Sequence, residues 1–333
     1  MPQYYGNVQG TLHVDRYLTN FSVNYVQDRG NFVAQKASST IPVLKQTDLY
    51  VVYDRGYFWR DEASPRALGG RPMQVGYKLS SDSYSAIEYA LEHVIDDRQR
   101  ANVDDPIRLD ENAVTLLTQK HMIKQDRVWA QRFFATGKWT TEVQGLAHAT
   151  SGDTFLQFSD ASSDPIGTVD KWKDEINRKT GFMPNTLVFG ANVRRHLRTH
   201  PDVADRIKFT QTGIADEDVL GKLFEVPTVI TARGVYNSAA EGAADAFEYI
   251  VDENAMLLAY IEPNPGLDSP TAIATFAWTG LIPGVTNTLG GVIERGRDPR
   301  AHSDYFQGRM AWDLKQVAAD LGVFFNNAVA DDD

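Results

Sequence analysis

The sequence predicts an α+β protein, and three observations predict it. An aromatic, β-branched stretch near residue 50 has the texture of a strand. A stretch of roughly 25 residues beginning near Glu111 has the spacing of one long helix. Beyond residue 150, short apolar runs alternate with helical ones. The chain has 333 residues, 42% hydrophobic and 23% charged, enough for a sizeable core. It contains no cysteine, which excludes disulfides, thiolate metal sites and cysteine nucleophiles. No apolar run approaches the ~20 residues a membrane-spanning helix needs. The opening "MPQYYGNVQG" lacks the basic-then-apolar layout of a signal peptide, which points to synthesis and use in the cytoplasm.

Taken in order, residues 1–44 carry little compact structure. "LHVDRYLTNFSVNYVQD" reads as a short helix or turn, and "SSTIPVL" as extended, because Pro42 restricts Ile41 to the β region. In residues 45–79, "DLYVVYDRGYFWR" is strand-like, "DEASPRALGGRP" is a run of turn formers, and "MQVGYKL" is a second extended piece. Together they predict a long hairpin with a broad polar tip. Tyr50, Tyr53, Tyr57, Phe58 and Trp59 crowd its first arm. A lone hairpin is marginal in water, and nothing nearby in the chain covers these rings, so the expected cover is another subunit. Residues 82–96, "DSYSAIEYALEHVID", predict a helix from Ile87, Leu91 and Val94. The helix from Glu111 to Thr136 places Val114, Leu117, His121 and Val128 on one side and Leu116, Ile123, Ala130 and Phe134 on the other, a spine packed on both. After residue 150 come a helix closed by Gly181, a buried strand "NTLVFG", a helix interrupted at Pro201, a helix "DEDVLGKLFEV" and strands within "TVITARGVYN" and "FEYIVDENAMLLAYI". "TAIATFAWTG" and "LGGVIERGRD" read as strands near the C-terminus.

Net charge is −11, unevenly spread: residues 1–79 carry +3 and residues 80–333 carry −14. An acidic body argues against ordinary nucleic-acid binding. The basic first quarter, with Arg60, Arg66 and Arg71 at the hairpin tip, suits an acidic surface of its own body or of a neighbour; chance scatter is the competing reading. For chemistry, His196 and His200 lie four apart, the spacing of a zinc-binding helix, with Asp202 or Asp205 as a third ligand. Leu197 stands where a zinc protease has its glutamate, which favours a solvated helix face. His93 with Asp96 and Asp97 is a second, weaker acid/base candidate. No nucleophile elbow, phosphate loop or dinucleotide fingerprint is present, and the glycine pairs in "LGGRP" and "LGGVI" read as turns or a bulge. No catalytic, cofactor or metal site is assigned.

"NTLVFGANVRRHLRTHPDVADRIKFTQTG", followed by "VLGKLFEVPTVITARGVYN", resembles the A domain of tailed-bacteriophage major capsid proteins of the Hong Kong 97 type. "YVVYDRGYFWRDEASPRA" looks like their extended E-loop, and "SYSAIEYALEHVIDDRQRAN" with the helix ending in "FFATGKW" like the P-domain lead-in and spine helix. The resemblance keeps the family's order over nearly the whole chain. It implies an N-terminal arm (1–44), an E-loop hairpin (45–79), a P domain with the spine helix (80–149), an A domain (150–269) and P-domain strands with a C-terminal return (270–333). It also implies a structural subunit rather than an enzyme, without cofactor, which forms pentamers and hexamers and closes an icosahedral head around double-stranded DNA. The implied setting is the virion, assembled in the host cytoplasm, with a portal and separate scaffolding or decoration proteins as further partners. The intersubunit contacts expected on this reading are Tyr50, Tyr53, Tyr57, Phe58, Trp59, Arg60, Arg66 and Arg71. Some family members crosslink a lysine of the E-loop; neither Lys45 nor Lys78 matches that position, and the crosslink is not carried over. An encapsulin-like compartment is the alternative with the same fold, and a metal enzyme at His196, His200 and Asp202 the alternative of another class.

Overall fold

Ile41 precedes a proline, and the chain is extended there, as β1 (Ser39–Val43). The computed structural model describes residues 27–53, 55–66, 68–103, 108–148, 152–208, 216–266, 269–281 and 291–331, with the side chains of Tyr53 and Arg55 excepted. The expected helix or turn in "LHVDRYLTNFSVNYVQD" lies outside them but for its last two residues. Next come β2 (Thr47–Tyr53), one helical turn α1 (Arg55–Phe58) and β3 (Leu79–Ser85). β2 and β3 form the expected antiparallel hairpin, but its second arm is 79–85, Thr47 facing Ser85 and Tyr53 facing Leu79. "MQVGYKL" contributes only its last residue.

The helix expected over 82–96 is a correction: β3 ends there and β4 (Ile87–Asp96) follows. Ile87, Leu91 and Val94 do have helical spacing, but a strand near the C-terminus supplies a full ladder partner, and Ile87 and Val94 stay 51% and 46% exposed. α2 (Asp97–Asn102) starts from a capping box, with the Asp96 side chain accepting from Arg98 N–H and Gln99 reaching back to Asp96 N–H. α3 (Leu109–Phe133) is the long helix, with Asp110 and Glu111 in its first turn and Arg132 in its last, the charges its dipole favours. It buries one stripe, Ala113, Leu117, His121, Gln125, Trp129 and Phe133, spaced by four. Asp126 and Ala130 are buried beside that stripe. Of the expected opposite side Leu116 is 42% exposed and Ile123 partly buried while Ala130 and Phe134 are buried, so the two-sided burial expected of the helix occurs at its C-terminal end and not at Leu116.

β5 (Thr141–Leu146) and β6 (Thr154–Leu156) lead to α4 (Pro165–Thr180). The Asp164 carboxylate caps α4 through Gly167 N–H at 2.8 Å, Pro165 opens it, and Gly181 closes it at φ 69°. β7 (Thr186–Phe189), α5 (Ala191–Thr199), α6 (Pro201–Ile207), α7 (Glu217–Leu223), β8 (Thr228–Thr231), β9 (Val235–Asn237), β10 (Phe247–Tyr249) and β11 (Met256–Ala259) follow. The chain returns through β12 (Ile273–Trp278), β13 (Gly291–Asp298), β14 (Ser303–Gln316) and β15 (Gly322–Asn326).

Two sheets organise these elements. One runs β6-β5-β15-β11-β7-β8. Its central strands are apolar on both faces, as doubly covered strands must be. Leu187, Phe189, Met256, Leu258, Val323 and Phe325 meet α4 to α7, while Val188, Leu257 and Phe324 meet Trp129, Phe133 and Phe134 at the end of α3. In the other sheet β14 pairs with β4 along one edge and with β13 and then β12 along the other, and β1 adds parallel to β12. α3 lies across this second sheet over Gly308. A side-chain carbon there would come within 2.7 Å of the His121 ring, so only glycine allows this approach. The segment before β1 is fastened to α3 by Asp126, whose buried carboxylate accepts from Val33 and Ala34 N–H, each at 2.8 Å. Burial pushes that carboxyl up to about 6, against the two hydrogen bonds, which lower it.

Candidate intersubunit surface

The hairpin's two faces differ by strand parity. Tyr50 and Val52 point inward, and Leu49 and Val51 outward. Tyr50 is only 6% exposed and packs on Phe276 at 5.3 Å, while Tyr84 stacks on the same ring at 4.7 Å. The Tyr50 hydroxyl donates to Asp82 at 2.8 Å, and burial first, then this carboxylate, raise its pKa. This corrects the expectation that nothing in the chain covers the first arm. Ile41, Val43, Ala274 and Phe276 of the β1–β12 edge cover its inner face, so Tyr50 is a core residue of its own chain.

Beyond Tyr53, whose side chain is not described, the aromatic residues cluster locally. The Arg60 guanidinium lies 4.8 Å from the Tyr57 ring centre, and the Lys78 ammonium 5.6 Å. Phe58 and Tyr77 meet at 5.4 Å. Trp59, 53% exposed, lies against Gly181 at the end of α4, where an added side-chain carbon would sit 3.3 Å from its ring. Arg60 approaches Glu62 at 4.0 Å, whereas Arg66 and Arg71 are exposed and make no ion pair among the described residues.

Sequence reasoning counted rings and missed the outward apolar set. Leu49 is 67% exposed, Leu79 56%, and Met73 and Val75 stand out near the tip. The alternation in "TDLYVVY" would have found the first of these, since parity puts Leu49 and Val51 opposite Tyr50 and Val52.

The chemical candidates come apart. His196 and His200 do not share one helix: α5 ends at Thr199, and Pro201 begins α6. His200 is buried between them. Its Nδ1 accepts from Asp202 N–H at 3.2 Å, leaving Nε2–H to face Asp160 O at 3.2 Å and Ser163 Oγ at 3.0 Å. It caps a helix. Asp96 is spent on capping α2, and Asp97 is gripped through both oxygens by Arg297, which holds its carboxyl below the usual range. Arg100, Arg295 and Arg297 share Asp97, Asp110 and Asp304 in one balanced network that joins α2, α3, β13 and β14. Among the described residues no cluster of three His, Asp or Glu is placed to hold a metal ion, and no helix is long and apolar enough to cross a membrane.

The chain is 27% identical over 224 residues to the major capsid protein of Burkholderia phage BcepMu, a match spanning 67% of this chain and 70% of that one. Its structure is similar to a phage-related protein from Bordetella bronchiseptica RB50, with 19% identity, TM-score 0.66, and 91% of this chain and 94% of that one covered. It is also similar to the mature capsid of bacteriophage PhiM1, with 11% identity, TM-score 0.57, and 94% and 91% covered. The chain has the Hong Kong 97-type fold. The same fold accounts for its similarity to the SrpI encapsulin of Synechococcus elongatus PCC 7942, with 12% identity, TM-score 0.53, and 94% and 93% covered. No family model matches the chain.

Proposed function

We propose that this chain is the major capsid protein of a tailed phage, assembling through pentamers and hexamers into an icosahedral head around double-stranded DNA. The observation that carries the reading is the outward face of the hairpin. A chain with a shell-forming fold keeps Leu49, Val51 and Leu79 in water at the base of its E-loop, while the inner face of the same strands is buried. An apolar face of this kind is what a permanent interface is built from. Arg60, Arg66 and Arg71 then meet acidic groups of a neighbour and help set register and assembly rate. A portal closes one vertex, and scaffolding or decoration proteins are separate chains.

Negative-stain microscopy with gel filtration of the expressed chain tests the assembly. Shells or capsomers are expected, and a monodisperse monomer at high concentration overturns it. Nuclease-protected duplex DNA in particles from infected cells is the expected cargo. Particles filled with protein instead would establish the compartment reading.

A further inference from the structure

The chain carries a net charge of −11, yet the exposed face of α3 beyond its first turn is basic. α3 holds three carboxylates, and each is already engaged. Asp110 and Glu111 stand in the first turn, paired with Arg100 at 2.6 Å and Arg108 at 3.0 Å. Asp126 is buried and accepts from Val33 and Ala34 N–H. From Gln119 to Gln131 the exposed residues are Lys120, Lys124, Arg127 and Gln131. Spacings of four, three and four put them in one stripe. The three cations span about 10.5 Å of helix at 1.5 Å per residue.

Lys120, Lys124 and Arg127 make no ion pair among the described residues. Rings hold two of them instead. The Lys124 ammonium lies 5.3 Å from the Tyr89 ring centre, and the Arg127 guanidinium 4.4 Å from that of Tyr236. A ring orients a cation without cancelling its charge. The carboxylates of the neighbouring strands are turned elsewhere. Glu88 and Glu92 of β4 lie by strand parity on the face opposite Tyr89, and Glu88 pairs with Arg309 at 2.6 Å. Glu248 of β10 accepts from the Tyr236 and Ser238 hydroxyls. A row of oriented, uncompensated cations on an acidic chain is a surface for a polyanion.

The chemistry of the row separates a nucleic acid from a protein partner. Lysine is depleted in protein interfaces, and none of the exposed residues from Gln119 to Gln131 is apolar. A duplex carries about one negative charge per 1.7 Å of its axis, so it sets about six charges along the length of the three cations. We propose that Lys120, Lys124 and Arg127 of α3 form a contact surface for the phosphate backbone of duplex DNA, with Gln131 as a neutral donor at its end. The proposal rests on the reading of the chain as a head subunit around double-stranded DNA, and it assigns this face of α3 to the inside of the shell. Contacts of this kind carry no sequence information, as general packaging requires.

Binding of a 20-base-pair duplex to the expressed chain, followed by fluorescence anisotropy between 50 and 200 mM salt, tests the surface without needing a head. Three lost phosphate contacts, at about 0.9 each, should flatten the slope of log affinity against log salt by about 2.7 in Lys120→Gln/Lys124→Gln/Arg127→Gln. Because Arg127 also rests on Tyr236, Lys120→Gln/Lys124→Gln is measured beside it, with a fall of about 1.8 expected. Native binding that is absent, or a slope unchanged in both variants, overturns the proposal. Loss of assembly with the slope unchanged would give the stripe to a neighbouring subunit instead. A second measurement compares acylation of Lys120 and Lys124 in DNA-filled and emptied particles, where the subunit neighbours are the same. Slower acylation in the filled particles is expected, and equal rates overturn the contact. Protein-filled particles from a chain whose duplex binding behaves as stated would overturn the head reading alone.

Discussion

The six-stranded sheet and the β2–β3 hairpin are both built of β-branched and aromatic residues, yet they use them differently. In β7, β11 and β15 every residue but the last of β15 is buried, because helices α4 to α7 cover one face and α3 the other. In the hairpin one face finds Phe276 and the other finds water. The first region completes its core inside the chain. The second leaves its outer face in water, the face proposed above as an interface.

The largest expected effect breaks the complete region. Phe324 is 1% exposed and meets Phe134 edge-on at 5.3 Å. Phe324→Ala should destabilise the chain by about 3–5 kcal/mol in urea unfolding. A loss below about 1 kcal/mol would mean that the sheet's α3 side is loosely packed.

The next prediction concerns Asp126, where the N-terminal segment is fastened. Its folded-state pKa of about 6 lies above the ordinary unfolded value of about 3.9. A raised pKa means that the folded chain holds the proton more tightly. The contribution is therefore fully present below about pH 4 and is lost as pH rises through about 6. Against Asp126→Asn, which does not titrate, the native chain should lose on the order of 3 kcal/mol of relative stability between pH 4 and pH 7. Parallel pH profiles for the two proteins would place the Asp126 titration elsewhere.

Two further changes sharpen the contrast by leaving the fold alone. Leu49→Ser with Val51→Ser, on the exposed face, should change chain stability by no more than about 0.5 kcal/mol while abolishing shells in the microscope. If shells still form, the outward face is not the seam. The smallest effect belongs to the tip. Replacing Arg60, Arg66 and Arg71 together with Gln removes pairs worth about 0.2–1 kcal/mol each, too little to prevent assembly. It should slow light-scattering growth and flatten its dependence on salt, as the Debye length falls from ~10 Å at 0.1 M to ~3 Å at 1 M. Unchanged kinetics would reduce the charge asymmetry to chance.

Elements whose signals are local were legible in the sequence. α4 was readable from its start at Pro165 to its stop at Gly181, and α3 from its length and spacing, because caps, glycine and apolar period act within a few residues of where they stand. The break at Pro201 was readable too, though its consequence for His196 and His200 was not, since sequence spacing does not say that His200 sits between two helices as a cap. The misreading of 82–96 has a different origin. Ile87, Leu91 and Val94 satisfy a helical template, and only the ladder offered by β14 overrides it. β14 itself, the longest strand among the described residues, was passed over: its sequence "SDYFQGRMAWDLKQ" mixes charges with aromatic residues because it is hydrogen-bonded on both edges but covered unevenly along its length.

By itself the sequence determined an α+β chain without thiol chemistry, a long helix and an aromatic hairpin. Local backbone preference and composition are enough for these. Tertiary structure alone decided that Tyr50 faces inward and Leu49 outward, that α3 leaves Leu116 in water while Ala130 is buried, and that Asp126 holds the segment at Val33 and Ala34. Each of these depends on which distant segment arrives at a given face. Such pairings come from burial summed over the whole chain, and no window of neighbouring residues contains that sum.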